Sequence, residues 1–263
     1  GGCAAVGVAH QRESIVMNHP ADSSAVFNDG LNRAKQWLRQ GNLVEAEAQC
    51  RHILVTEPHH VETLVLLGTL LQQRQCWVEA EQMIRQAIRV APTDAAAQVG
   101  LGRVLTAQNR HDEAIAPFES AIRLQPNHAA ARFALGETLA ALGRLPEAVT
   151  VWRQACTWRP TDPEIHYRLG AALAELGQDE EALAVLSIAN RGRPNQDATL
   201  MMLTTVLHRQ GRLTEAQDLI STAVFARGDV ARSLALLQHW QCLMPDDPVT
   251  RHRLSAWFGQ ETP

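Results

Sequence analysis

Lysine is almost missing from this chain: Lys35 is the only one among 24 basic residues, and with so much alanine that bias points to a GC-rich genome. Cysteine is sparse and scattered. Cys3, Cys50, Cys76, Cys156 and Cys242 are odd in number, lie far apart and form no CxxC, which argues against both a disulfide framework and a zinc site and fits a reducing, cytoplasmic compartment. No apolar run approaches the ~20 residues needed to span a bilayer. The opening GGCAAVGVAHQRES has a mild apolar patch but no positive n-region, so no secretory signal is expected, and Met17 opens a plausible natural start. An excess of positive charge is also missing. The net charge is −4 with no basic face evident, which speaks against nucleic acid or an anionic membrane as partner. What is present is an ordinary soluble composition, 46% apolar and 20% charged over 263 residues, enough for one large core or for an array that needs none.

Internal repetition favours the array. Prolines recur every 34 residues at Pro58, Pro92, Pro126, Pro160 and Pro194. In step with them run the Glu-Ala pairs Glu45-Ala46, Glu79-Ala80, Glu113-Ala114, Glu147-Ala148 and Glu181-Ala182. Leu-Gly pairs recur at Leu67-Gly68, Leu101-Gly102, Leu135-Gly136 and Leu169-Gly170, and a second alanine column runs through Ala87, Ala121, Ala155 and Ala189. A turn slot holds Gly41, Gly143, Gly177 and Gly211, with Gln75 and Asn109 in the same place elsewhere. Each unit contains two apolar-periodic runs of helical, not strand, period separated by a short turn. The small residue of each Leu-Gly pair permits close approach of the paired helix, and the leucines, with Leu203, read as core. The closing proline ends one helix, and Asp94 or Asp162 beside it can cap the next. Pro117, about one turn into a helix, predicts a bend and not a break.

These motifs resemble the tetratricopeptide repeat (TPR) family. The resemblance implies an all-α, right-handed superhelical solenoid of antiparallel helix hairpins with C-terminal capping helices. Six units follow at 27–60, 61–94, 95–128, 129–162, 163–196 and 197–230, the last with Gly228 in place of the proline. Residues 1–26 are expected to be a flexible lead-in, and 231–263, where the phase slips, to form capping helices and a tail.

A search for chemistry returns little. His59 and His60, with His52 nearby, occupy an inter-repeat corner and lack a carboxylate or Cys to complete a metal set. VGLGR at 99–103 lies within a repeat helix and follows no strand, so it is not a phosphate loop. Trp37, Trp152 and Trp158 replace apolar repeat residues and read as core. No catalytic residue, metal site or cofactor is expected, and the chain reads as a non-enzyme.

In the proteins it resembles, the first helix of each repeat lines a concave groove. The corresponding positions here give a peptide-binding set of Asn32, Lys35, Arg39, Val65, Thr69, Val99, Arg103, Phe133, Glu137, Tyr167, Arg168, Met201, Thr205 and His208. The fifth position forms an apolar series, Leu31, Val65, Val99, Phe133, Tyr167 and Met201, flanked by arginines. That pattern suits an extended peptide or helix with apolar anchors and some acid character, or else packing between neighbouring first helices. The carboxylate clamp of chaperone-binding relatives is not reproduced, nor is the asparagine ladder of sugar-transferase relatives. The implied partner is a protein or peptide, and the implied state a monomer or weak homo-oligomer. The end, DDPVTRHRLSAWFGQETP, resembles the hinge before an S-adenosylmethionine-dependent methyltransferase domain in some bacterial proteins. That would make the chain the recognition portion of a larger enzyme; a stand-alone or self-associating scaffold is the alternative.

Overall fold

Six positions 34 residues apart hold the backbone in the left-handed region: Gly41 (φ 81°), Gln75 (62°), Asn109 (61°), Gly143 (75°), Gly177 (75°) and Gly211 (71°). Each ends a helix in the same way. At Gly143, the N–H of Gly143 bonds the Ala140 carbonyl at 2.9 Å and that of Arg144 reaches back to Leu139 at 2.9 Å, a Schellman motif that satisfies orphan carbonyls of the last turn. The chain then starts the next helix at once, so every such slot makes a tight helical hairpin.

A computed structural model describes residues 20–194, 196–227 and 230–245. Among these residues the chain forms helices and no strand. They are α1 (Pro20–Gln40), α2 (Leu43–Thr56), α3 (Val61–Gln73), α4 (Trp77–Val90), α5 (Ala95–Ala107), α6 (His111–Leu124), α7 (Ala129–Ala141), α8 (Leu145–Trp158), α9 (Pro163–Glu175), α10 (Asp179–Gly192), α11 (Asp197–Arg209), α12 (Leu213–Arg227) and α13 (Val230–Leu243). Two compact units divide at Val90. In the first, α1 packs on α2, α2 on α3 and α3 on α4. In the second, consecutive helices from α5 to α13 pack in the same way, and α5 with α7, α9 with α11 and α11 with α13 also touch.

The start of four of the hairpins is capped from a second column, which at Gln196 makes no side-chain cap. Asp94 Oδ1 accepts from the Ala97 amide at 2.8 Å, and Asp162 Oδ1 from that of Glu164 at 3.1 Å. Histidine performs the same task at two turns: His60 Nδ1 accepts from Thr63 at 3.3 Å and His128 Nδ1 from Ala131 at 3.1 Å. The repeated glutamate sits in the first turn of each second helix, where a negative charge is favoured. Beyond Glu45 it also takes an arginine, from its own helix start (Arg144–Glu147, 2.6 Å) or from the second helix before it (Arg153–Glu181, 2.7 Å). Such exposed pairs contribute little each.

Within each hairpin the small residue of the first helix stands in register with one buried side chain of the second. A Cβ built at Gly102 would lie 2.6 Å from the Phe118 ring, and one at Gly68, Gly136 or Gly170 would meet Ile84, Trp152 or Leu186. Cys50, Ile84, Phe118, Trp152, Leu186 and Ile220 form this column, all buried. Where the glycine is absent its neighbour is smaller than an aromatic: Ala34 goes with Cys50, and Thr204 with Ile220.

The structure departs from the sequence reading at four points. Residues 20–26 are helical and belong to α1, not to a flexible lead-in, because Pro20 suits a first helical position and no breaker follows until Gly30. The 34-residue phase does not slip after Val230, since Leu237, 34 residues beyond Leu203, is buried in the same column of α13. Leu101 is half-buried against the core and not within it. Trp158 is 52% exposed at the end of α8, whereas Trp152 is buried as expected. Helix α6 runs unbroken through Pro117. Residues 1–19 and the methyltransferase-like hinge at 246–263 lie outside the described residues.

Candidate functional site

The predicted face is built on the first helices of the hairpins, and its two parts are distinct in character. In the first unit, Lys35 of α1 is not free, because its Nζ lies 2.5 Å from Glu62 Oε1 of α3. Thr69 turns its hydroxyl back to the Val65 carbonyl at 2.9 Å. Asn32 and Arg39 are exposed and Val65 is half-buried.

In the second unit the apolar series is largely spent on packing. Val99 is 9% exposed and belongs to the core, while Phe133 and Tyr167 are half-buried and lie against that core. Phe133 is held from behind, its carbonyl accepting the Trp152 indole N–H at 3.3 Å. Met201 packs beside Leu200, Ala223 and Leu236, so α13 covers it in part. Thr205 is engaged as well, with Oγ1 2.8 Å from the Met201 carbonyl and 3.2 Å from His239 Nε2 of α13. His208 is half-buried one turn further along.

The charged members separate clearly. Arg168 is committed: it lies 3.1 Å from Glu164 and 3.5 Å from Glu137, and its guanidinium stands 5.8 Å from the Tyr167 ring centroid. Glu164 in turn is 3.7 Å from Arg193. Burial raises the Glu137 carboxyl above its ordinary value, Arg168 opposes the rise and Glu164 adds to it. Arg103 of α5 is exposed and, like Arg39 in the first unit, has no ion-pair partner among the described residues, which leaves it available to a ligand.

The sequence reading missed several features near this face. Arg132 of α7 is 8% exposed, burial holds its basicity below the ordinary value, and it donates to the Pro126 carbonyl of the preceding turn. Gln98 and His166 stand in the same column and bond their own turns, so a column with no shared residue type serves one purpose. A cleft of about 820 Å³ lies among α10, α11 and α12, floored by Leu183, Leu203 and Leu207, and one of about 380 Å³ in the first unit is lined by Leu54, Val55 and Met83. None of the predicted face residues lines either. Burial pushes the thiol of buried Cys50 up to about 12 and that of half-buried Cys156 to about 11, which disfavours the nucleophilic thiolate. Among the described residues no group of three His, Cys, Asp or Glu could hold a metal ion, and no helix is long and apolar enough to cross a membrane.

Comparison with known proteins bears on the fold. Models of the tetratricopeptide repeat match residues 60–127, 105–155, 30–52 and 198–220, and a TPR repeat model matches 137–177. No curated protein matches the sequence. Among solved structures, PilF of Pseudomonas aeruginosa superposes with a TM-score of 0.71 at 15% identity, over 89% of this chain and 99% of that one. YrrB, described as a TPR protein with an unusual peptide-binding site, gives 0.60 at 18% identity over 72% and 97%. MamA gives 0.56 at 21% over 60% and 93%. At these identities the likeness is one of fold. With five prolines in phase, six Schellman turns and paired helices throughout, the chain is an all-α solenoid of tetratricopeptide repeats.

Proposed function

We propose that this chain is a non-catalytic protein-interaction module, and that the first-helix face of its second unit binds an extended peptide or helix of a partner. The observation that carries this reading is that the first helices α5, α7 and α9 of this unit carry Arg103, exposed and without an ion-pair partner among the described residues, and Phe133 and Tyr167, two aromatics only half-covered by the core. Aromatics and arginine are the residue types that dominate binding energy at interfaces. A partner with apolar anchors and a carboxylate fits them. Arg168 contributes less than its position suggests, since it already neutralises Glu137 and Glu164. The peptide-binding site named for YrrB is consistent with this use of the fold.

The test is selection of peptides from a displayed random library on the intact chain, followed by titration of the enriched peptides against R103A and Y167A variants. Arg103 is exposed and Tyr167 half-buried, so R103A should melt within a few degrees of the parent and Y167A somewhat lower, while binding weakens about tenfold or more in each. Unchanged affinity in both would place the binding surface elsewhere.

A further inference from the structure

We propose that α13 is an acid-sensitive closure over the α11 end of the first-helix face, with His239 as the group that senses protons. The contact has three parts. Leu236 packs with Leu200 and Ala223 beside Met201, and Leu237 and Trp240 enter the main core. Between them His239 is half-buried, with Nε2 3.1 Å from the Met201 carbonyl and 3.2 Å from Thr205 Oγ1. A neutral imidazole with its proton on Nε2 satisfies the carbonyl. The charged form would sit in the same half-buried contact with no carboxylate beside it.

The described titratable and charged groups on the elements that pack here are Asp197, His208 and Arg209 of α11 and Glu215 and Asp218 of α12, with only the exposed thiol of Cys242 besides His239 in Ser233–Leu243 of α13. Arg209 is taken by Asp179 and Glu215 by Arg212. Burial is the largest influence on the imidazole and holds its pKa below the ordinary 6.5, the Met201 carbonyl opposes it, and none of these charges acts on it. Above pH 6.5 the imidazole is neutral whether α13 is docked or open, and the contact has its full strength. Between 6.5 and the depressed docked-state value, the open form takes up a proton that the docked form refuses, so opening becomes more favourable as pH falls. The increase is up to about tenfold per pH unit and stops below the docked-state value.

Opening is local and infrequent, because three large apolar side chains still hold the helix. It uncovers Met201 and Thr205. The consequence for ligands rests on the proposed use of this face, whereas the opening itself does not, so hydrogen exchange tests the opening and peptide titration tests the consequence.

The experiment is hydrogen exchange on the full chain at pH 7.5 and pH 5.5, corrected for intrinsic exchange, reading α13 against α9. In the parent protein the α13 opening constant should rise several-fold, up to about tenfold, at the lower pH while α9 does not follow. In His239→Gln, whose amide can still donate to Met201 but does not titrate, α13 should show no such rise. An unchanged α13 in the parent, or an equal rise in the variant, would overturn the proposal. Should the variant not fold, the His239 imidazole is titrated by NMR in the parent; a midpoint at or above 6.5 would overturn it equally.

Discussion

Gly136→Ala is the substitution that most sharply tests the packing logic of the repeat. In an isolated helix the change would stabilise by roughly 1 kcal/mol. Here the new Cβ would fall within van der Waals exclusion of three indole atoms of Trp152, a residue 2% exposed that also bonds the Phe133 carbonyl. Displacing the ring in a packed core costs about 1–3 kcal/mol, and weakening its hydrogen bond costs about 1 kcal/mol more. Against the helix gain, the net is a loss of about 1–3 kcal/mol, or some 2–12 °C in melting temperature at about 2–4 °C per kcal/mol. Urea denaturation followed by circular dichroism measures it. The decisive arm is the double variant Gly136→Ala with Trp152→Ile, which copies the smaller partners used by Ala34 with Cys50 and Thr204 with Ile220. The coupling should be favourable by about 1 kcal/mol or more. Additive losses would refute the idea that the glycine exists to admit the indole. Phe133 should also lose its position in the single variant, so peptide affinity should fall with stability.

Two further outcomes follow from the same structure. Gln75 holds φ at 62° in a slot where four other repeats use glycine, so Gln75→Gly should raise stability by about 0.5–1 kcal/mol, the relief of left-handed strain outweighing glycine's greater unfolded-state entropy; a lower urea midpoint would contradict this. Glu137 has a folded-state pKa raised by burial above the ordinary 4.5, so the folded protein takes up its proton before the unfolded chain does. Its charge therefore costs stability at neutral pH, and that cost is removed as pH falls through the raised value towards 4.5. Glu137→Gln should accordingly gain relative to the parent from pH 4.5 to pH 7 in urea titrations, and a constant difference across that range would show that burial does not govern this carboxyl.

Much of the fold was legible because the columns that define it are local and repeated. Gly41, Gly143 and Gly177 announce left-handed turns, and Asp94 and Asp162 announce caps. His60 and His128 were not read as caps because an imidazole accepts a backbone N–H only in the right tautomer and rotamer, which composition does not display. The 34-residue count is carried into α13 by Leu237, but the absence of a proline at the end of the sixth unit hid it. The candidate face was less legible. Position along a first helix groups Phe133 and Tyr167, which stay half-buried, and Arg103, which is exposed, with Val99, which neighbours bury, and Arg168, which Glu137 and Glu164 occupy. Those differences arise from contacts between repeats, and no single repeat encodes them.

The central claim is that an unpaired arginine and half-covered aromatics on the first helices of the second unit select the partner. It is tested most directly by titrating one library-selected peptide, with its acidic residue intact or changed to the neutral amide, against the parent and Arg103→Ala. The account predicts that either change alone weakens binding about tenfold and that both together weaken it no further, the mark of one shared contact. Full additivity of the two losses, or no loss from either, would contradict it.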